Sequence, residues 1–133
     1  FFDQFGVFDE TNRDPRGATI SISYLALVTP DDDDRVVWAS FRHSDALDLP
    51  FDHGTIIERG MLAVGDRLWH DWAMTYALLG TFTTSSALAI SRALDALPTD
   101  PSNFARWIAS SGRVERSENQ SGLTGRDTRW EWV

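Results

Sequence analysis

Carboxylate and imidazole groups are the first side chains to consider for chemistry, because the chain has no cysteine. Disulfides, thiolate zinc sites and a cysteine nucleophile are therefore excluded. The four consecutive aspartates Asp31–Asp34 suggest calcium, but a calcium loop alternates its ligands and adds a glycine turn and a later bidentate glutamate, which are missing here. A solvated turn is the better interpretation. The histidines, His43, His53 and His70, are too scattered to indicate a metal triad, so we predict no metal, cofactor or catalytic residue.

Arginine is the only cationic side chain besides histidine, and its distribution along the chain is uneven. The formal charge of -8 at pH 7 argues against nucleic acid, because binding to a phosphate backbone relies on cations that displace counterions. However, residues 1–98 hold seven arginines against fifteen acidic residues, whereas residues 99–133 hold five against five. The excess negative charge therefore lies upstream, and the arginines of the last third could contact phosphate or guanine through paired hydrogen bonds.

The outer face of one predicted helix in this last third could meet DNA. The helix is expected to begin at the cap Thr99 and to end at Gly112. The apolar positions of its inner face are Phe104, Trp107 and Ile108. Its outer face has short polar side chains and a cation, which suits the major groove. The candidate contacts to bases and phosphates on this face are Ser102, Asn103 and Arg106.

The elements around this helix follow the order of a winged helix. Thr83 or Thr84 is predicted to open the preceding helix and Pro98 to close it, so that two helices joined by a short turn form a helix-turn-helix. Units of this kind also serve as protein-binding or purely structural modules. Asn103 could act only as a helix cap. DNA binding is therefore the favoured interpretation but not the only one.

A hairpin is predicted after the helix pair. Residues 113–115 are expected to form a short strand, residues 116–127 an exposed tip, and residues 128–133 the returning strand. Within this hairpin, Arg116 and Arg126 are candidate contacts to the DNA backbone beside the adjacent minor groove. Arg129 is expected to pair with a neighbouring acid, Glu131 or Glu115.

The residues before this region predict a smaller unit of strands and a helix. A polar loop at residues 12–17 leads into a strand at Ala18–Thr29, where apolar and small residues alternate. Arg35–Phe41 is predicted to be its antiparallel partner. Asp52 can cap a helix with an apolar stripe that continues to Trp72. The apolar connection that follows, up to residue 80, has no assignment.

The sequence thus predicts an α+β protein with two domains, residues 1–75 and residues 76–133. The apolar stretches are shorter than the ~18 to 20 residues that cross a bilayer. The aromatic start of the chain lacks the cationic end of a signal peptide. We therefore expect a soluble cytoplasmic protein.

Three segments resemble a known family, the Nudix-related transcriptional regulators of NAD metabolism. Residues 5–28 are similar to that family's RDPRG-type loop and the strand after it, and LPFDHGTII, residues 49–57, to the F-D-H start of its last Nudix-domain helix. The stretch from FTTSSALAISRAL through NFARWIASSG to GRDTRWEWV is similar to its winged helix. The resemblance implies a partial Nudix-like β/α unit followed by a winged helix-turn-helix, and a DNA-binding transcriptional regulator.

The same resemblance implies a nucleotide effector. In that family's arrangement the loop at residues 12–17 would border a pocket for an ADP-ribose-like molecule. Arg13 and Arg16 would contact its phosphates, and Asp14 would orient them. A salt-bridged turn is the alternative interpretation of these residues.

The catalytic box of Nudix hydrolases, G-x5-E-x7-R-E-x2-E-E-x-G, does not occur in the sequence. Its glutamates hold the magnesium that activates water, so we expect no Nudix hydrolysis by this chain. The chain is expected to start after the position of that box, either as part of a longer protein or with strands supplied by another chain. A Nudix-type hydrolase with its catalytic half elsewhere, and a domain that binds a protein partner, are the alternatives.

The missing strands also suggest self-association. A strand that would be central in a full Nudix sheet would have an unpaired edge, and unpaired edges invite pairing with a second chain. We therefore expect a homodimer, which suits recognition of a two-fold operator in double-stranded DNA.

Overall fold

The structure of the chain, a computed structural model, describes residues 1–9, 14–28, 38, 49–96, 103–123 and 127–133. The elements within these ranges are β1 (Phe2–Phe8), β2 (Ser21–Ala26), α1 (His53–Arg67), α2 (Trp72–Leu79), β3 (Phe82–Thr83), α3 (Thr84–Ala93), α4 (Phe104–Ser110), β4 (Val114–Arg116) and β5 (Arg129–Trp132). They form two compact units, an amino-terminal unit, Phe1–Ala63, and a carboxyl-terminal unit, Val64–Val133. The mixture of helices and two small sheets confirms the predicted α+β class.

β1 and β2 form an antiparallel pair in the amino-terminal unit, with Phe2 opposite Ala26. The predicted strand at Ala18–Thr29 is therefore present, but it is shorter. Its partner β1 was not predicted, although the aromatic residues and Val7 of that segment favour a strand. The predicted partner Arg35–Phe41 lies outside the described residues, apart from Trp38.

One face of the β1–β2 sheet is apolar and exposed. The rings of Phe2 and Tyr24 stack on it with centroids 5.0 Å apart. On the opposite side the Phe5 ring lies 3.2 Å from the position that a Cβ on Gly60 of α1 would occupy. This exposed apolar face consists of Phe2, Val7, Ile20, Ile22, Tyr24 and Val28. Several exposed apolar side chains on one side of a sheet are typical of a surface that binds another surface.

The helix predicted from Asp52 to residue 72 is two helices. α1 ends at Arg67, and Trp69 in the following turn has a φ of 70°, in the left-handed region. Asp71 then caps α2, because its carboxylate accepts a hydrogen bond from the Met74 N–H at 3.1 Å. The connection without an assignment is thus largely helix. Its side chains are apolar around most of the helix, so its sequence lacks a helical period.

α3 begins where the sequence predicts. The hydroxyl of Thr83 accepts from the Ser86 N–H at 3.1 Å, and the hydroxyl of Ser86 accepts from the Thr83 N–H at 3.0 Å. This capping box satisfies two N–H groups that would otherwise lack helical partners. The helix ends at Ala93, earlier than predicted. Pro98 and Thr99 lie outside the described residues.

A three-stranded sheet, with the order β3-β5-β4, lies in the carboxyl-terminal unit. Phe82 of β3 pairs with Trp130 of β5, and Val114 of β4 pairs with Trp132. The predicted hairpin is therefore confirmed, with its first strand one residue later than expected. The Trp130 indole N–H donates to the hydroxyl of Thr84 at 2.9 Å, which ties β5 to the start of α3.

Trp69 lies at the centre of the carboxyl-terminal core. Its ring packs edge to face, at centroid distances of 5.5 to 6.2 Å, against the rings of Trp72, Phe82, Phe104 and Trp107. Its indole N–H donates to the hydroxyl of the fully buried Ser91 at 2.8 Å. Phe104 and Ile108, predicted to face inward, are 1% and 0% exposed, which confirms the inner face of α4.

Candidate nucleic-acid interface

α4 presents a small and polar surface opposite its buried face. Arg106, Ala109 and Ser110 are exposed, whereas Asn103 and Ala105 are partly buried. Asn103 occupies the N-cap position, but its side chain makes no capping hydrogen bond. Ser102, a further candidate contact, lies outside the described residues. Arg106 is therefore the cation on the outer face of α4 in the described part of the chain.

The β4–β5 hairpin follows α4 and carries the next candidate cation. Arg116 is the last residue of β4 and pairs with the buried Trp130, and its own side chain is exposed. Gly112 has a φ of 66°, in the left-handed region that glycine favours, where the chain leaves α4 for β4. Arg126, the other candidate of the hairpin, lies outside the described residues.

In the part of the β4–β5 loop that the structure describes, residues 117–123 and 127–128, most of the predicted tip is exposed, and side-chain hydrogen bonds connect it to β5. Ser117 is only 3% exposed. The Arg129 guanidinium donates to the carbonyl oxygen of Asn119 at 2.9 Å and to that of Ser121 at 3.4 Å. The predicted pairing of Arg129 with Glu131 or Glu115 is therefore wrong, because loop carbonyls take its donors.

Asp127 fastens the end of this loop to the start of α3. Its carboxylate accepts hydrogen bonds from the Ser85 N–H at 3.0 Å, the Ser85 hydroxyl at 2.5 Å and the Thr128 N–H at 3.0 Å. Burial tends to raise the pKa of Asp127, but the hydrogen bonds from Ser85 and Thr128 outweigh burial and hold that pKa below its usual value. The positive end of the α3 dipole also favours a carboxylate here.

Asp127→Asn is expected to remove a pH-dependent part of the stability of the carboxyl-terminal unit. Because the folded pKa of Asp127 is depressed, its carboxylate stabilises the fold above the unfolded pKa of about 3.9, and this contribution disappears as pH falls through the folded pKa. Urea unfolding measured at neutral pH and near pH 3 should therefore show that the difference in the free energy of unfolding between parent and variant is smaller at the lower pH. An equal difference at both pH values would contradict this role. Glu118→Gln, an exposed carboxylate in the same loop, controls for the lost charge.

The predicted effector residues Asp14 and Arg16 form a salt-bridged turn in the amino-terminal unit. The Arg16 guanidinium donates to both oxygens of the Asp14 carboxylate at 2.6 to 3.1 Å, and its backbone N–H donates to the same group at 2.9 Å. The hydrogen bond with Asp14, and then its charge, raise the pKa of Arg16. The guanidinium also lies 5.1 Å from the centroid of the Phe51 ring. Arg13 lies outside the described residues.

Comparisons with known proteins show which solved structures have a similar fold. No known protein family and no curated protein matches the sequence. The structure is similar to NrtR from Shewanella oneidensis, with a TM-score of 0.73 and 20% identity over 98% of this chain and 62% of that chain. For the same protein complexed with a 27mer DNA, the TM-score is 0.74 and the identity 19%, over 100% of this chain and 64% of that chain. The chain has the fold of the matched part of NrtR.

A MutT/nudix family protein from Enterococcus faecalis is a more distant neighbour. Its TM-score is 0.56 at 21% identity, over 99% of this chain and 61% of that chain. This chain therefore spans less than two thirds of the length of each of these three structures. Their likeness supports the Nudix-like and NrtR-like fold expected from the sequence.

Within this NrtR-like fold, two features of the candidate interface were missed by the sequence analysis. Asp127 was not assigned a role, and no local signal links it to Ser85, 42 positions earlier. Gln120, which hydrogen-bonds to the backbone on both sides of the β4–β5 loop, was treated as part of an exposed tip. The described residues contain no cluster of histidine and acidic side chains that could hold a metal. In the same part of the chain, no helix has the length and apolarity needed to cross a membrane.

Proposed function

We propose that this chain belongs to a DNA-binding transcriptional regulator similar to the Nudix-related regulators of NAD metabolism. The predicted second domain, residues 76–133 together with the start of α2, would form its winged helix. The element order α2, β3, α3, α4, β4, β5 supports this proposal, because a winged helix consists of three helices and a small sheet whose last two strands form the wing. Its second and third helices are the helix-turn-helix pair.

The surface of α4 is the observation that carries the proposal. Phe104 and Ile108 anchor the helix in the core, and Arg106 projects from the opposite side. The neighbouring outward residues, Ala109 and Ser110, are small, so this face could approach base edges without steric hindrance. Arg116 at the end of β4 adds a second exposed cation that could contact phosphate.

The likeness to NrtR supports the same partner. One of the two NrtR structures is a complex with DNA, and this chain shares its fold. The Nudix box does not occur in these 133 residues, so they do not themselves supply the catalytic glutamates of a Nudix hydrolase.

The test is a titration of duplex DNA of about 30 base pairs, long enough for two half-sites one helical turn apart. We expect the affinity to fall at higher salt, and Arg106→Ala to weaken it about tenfold, or about 1.4 kcal/mol. Arg59→Ala, which removes an exposed arginine from the amino-terminal unit, should leave the affinity nearly unchanged. No binding by the parent, or equal losses in both variants, would reject the proposal.

We also propose that the amino-terminal unit contributes to sensing an ADP-ribose-like nucleotide. The Arg16 side chain is 75% exposed while Asp14 fixes its direction, so it could contact a phosphate without being reoriented. Calorimetric titration of the parent with ADP-ribose should then show a heat of binding. The Arg16→Ala variant should lose this heat of binding, and the Arg59→Ala variant should keep it. Identical heats in parent and Arg16→Ala would reject this role.

A homodimer is the proposed assembly, with a second copy of the chain covering the exposed apolar face of the β1–β2 sheet. The six apolar residues of that face are roughly half to three quarters exposed. They would offer on the order of several hundred Å², near the ~800 Å² that each partner contributes to a standard interface. A monomeric molar mass in light scattering would overturn this assembly.

The neighbour from Enterococcus faecalis favours a second candidate, part of a Nudix-type hydrolase. Its support is the shared fold alone, since the catalytic glutamates of the Nudix box do not occur in this sequence. Magnesium-dependent release of AMP from ADP-ribose by the full-length protein, together with no DNA retention, would favour the hydrolase over the regulator.

A further inference from the structure

The β4–β5 loop continues the hairpin through a side chain. Beyond Arg116 and Trp130, one more backbone bond runs from the Ser117 N–H to the carbonyl oxygen of Arg129 at 3.0 Å. The Gln120 amide then takes the place of a backbone partner. Its nitrogen donates to the carbonyl oxygens of Ser117 and Arg129 at 2.5 and 3.2 Å, and its oxygen accepts from the Arg129 N–H at 3.0 Å. One side chain thus satisfies three backbone groups across the loop.

Arg129 holds the same loop from the opposite strand. Its guanidinium donates to the carbonyl oxygens of Asn119 and Ser121. Within the loop, the Ser117 hydroxyl accepts from the Asn119 N–H at 3.1 Å, and the Asn119 side chain accepts from the Ser121 N–H at 3.1 Å. Consecutive turns of the loop are therefore tied to β5 and to each other.

We propose that Gln120 and Arg129 are positioning residues that hold residues 117–121 of the β4–β5 loop in one conformation before DNA is bound. If a loop becomes ordered only on binding, its loss of conformational entropy makes the binding free energy less favourable. A loop that is already held in one conformation avoids most of this loss. Because loop carbonyls take the Arg129 donors, the exposed Arg116, rather than Arg129, is the residue of this strand pair that we expect to contact phosphate. This inference rests on the proposed DNA binding.

The first test examines the loop without DNA. Gln120→Met keeps the length of the side chain and removes its hydrogen bonds. Hydrogen exchange followed by NMR should show a protected Arg129 amide in the parent and at least about tenfold faster exchange in the variant. The Leu68 amide, bonded to the Val64 carbonyl oxygen at 2.9 Å within the core, should exchange equally in both. Faster exchange at Leu68 as well would indicate general destabilisation and would overturn a local role.

The second test separates positioning from charge contact. Gln120→Met should weaken binding to a 30-base-pair duplex about three- to tenfold at fixed salt, by losing hydrogen bonds that order the loop. It should leave the slope of log affinity against log salt unchanged, because no cation is removed. Arg116→Ala should instead reduce that slope by about 0.9, the value for one phosphate contact.

The outcomes of the two tests are distinct. An Arg129 amide that exchanges rapidly in the parent overturns the ordered loop, whatever the DNA result. A protected loop that Gln120→Met loosens without loss of affinity overturns the positioning role but leaves DNA binding intact. A parent that binds no duplex rejects the proposed function, and with it the role of Gln120 in binding. Loosening, weaker affinity and an unchanged salt slope together support the inference.

Discussion

Trp69→Ala is expected to lower the free energy of unfolding of the carboxyl-terminal unit by about 3 to 5 kcal/mol. The indole is 4% exposed and contacts four other aromatic rings, so its removal leaves a cavity between the end of α1, α2 and α4. The hydroxyl of Ser91 also loses the indole N–H that donates to it. Urea unfolding followed by far-ultraviolet circular dichroism measures the change.

Two further variants give reference values for the loss of stability expected in Trp69→Ala. Trp69→Phe keeps an aromatic ring but loses the hydrogen bond to Ser91, so it should cost about 1 to 2 kcal/mol. Trp38→Ala removes a tryptophan that is 52% exposed and should cost less than about 1 kcal/mol. If Trp69→Ala were no more damaging than Trp38→Ala, the aromatic cluster would not be the core of this unit.

Gly65→Ala is expected to destabilise the chain by about 2 to 3 kcal/mol, although alanine is the better helix former. A Cβ on Gly65 would lie 2.5 Å from the carbonyl oxygen of Leu94, just after the end of α3. That atom belongs to the backbone, so one of the two segments must move to relieve the overlap. The melting temperature measured by circular dichroism should fall accordingly.

Gly54→Ala is the matched control in the same helix. Apart from its own helix backbone and chain neighbours, a Cβ on Gly54 would meet no heavy atom within 4 Å among the described residues. The helical preference of alanine should therefore be gained without a clash, which raises stability by up to about 1 kcal/mol. A rise in melting temperature for Gly65→Ala as well would show that α1 and the end of α3 are not so close.

Local signals in the sequence predicted the elements nearest the candidate interface. The threonines before α3 predicted its capped start, and the spacing of Phe104 and Ile108 predicted the buried face of α4. Alternation around Trp130 predicted β5. These signals succeed because caps and amphipathic spacing depend on residues within one or two helical turns of each other.

The division between α1 and α2 was missed because the apolar stripe continues across it. Trp69 fits the helical spacing, yet its backbone is left-handed and its ring is the centre of the core. The choice between one helix and two is made by packing against distant rings such as Phe104. β1 was missed for a similar reason, since its pairing with β2 joins residues up to 24 positions apart, as Phe2 and Ala26 are.

The candidate interface was only partly predictable. The exposure of Arg106 and Arg116 follows from helix and strand periodicity. The commitment of Arg129 to loop carbonyls depends on how the β4–β5 loop folds back, which no spacing rule encodes. None of the candidate contacts is tested by the structure, and all of them stay predictions: the DNA contacts of Ser102, Asn103, Arg106, Arg116 and Arg126 and the effector contacts of Arg13, Asp14 and Arg16.

The distribution of indoles gives the two units separate optical signals. The carboxyl-terminal unit holds five of the six tryptophans, and the rings of Trp69, Trp72 and Trp107 lie within 6.5 Å of each other. Indoles this close exchange excitation energy, so the intrinsic fluorescence of the chain reports chiefly on the unit that carries α4. The amino-terminal unit contributes Trp38 alone, and its unfolding would leave most of the emission unchanged. A change in emission on addition of a duplex would thus originate chiefly in the unit that carries α4, the helix proposed to contact DNA.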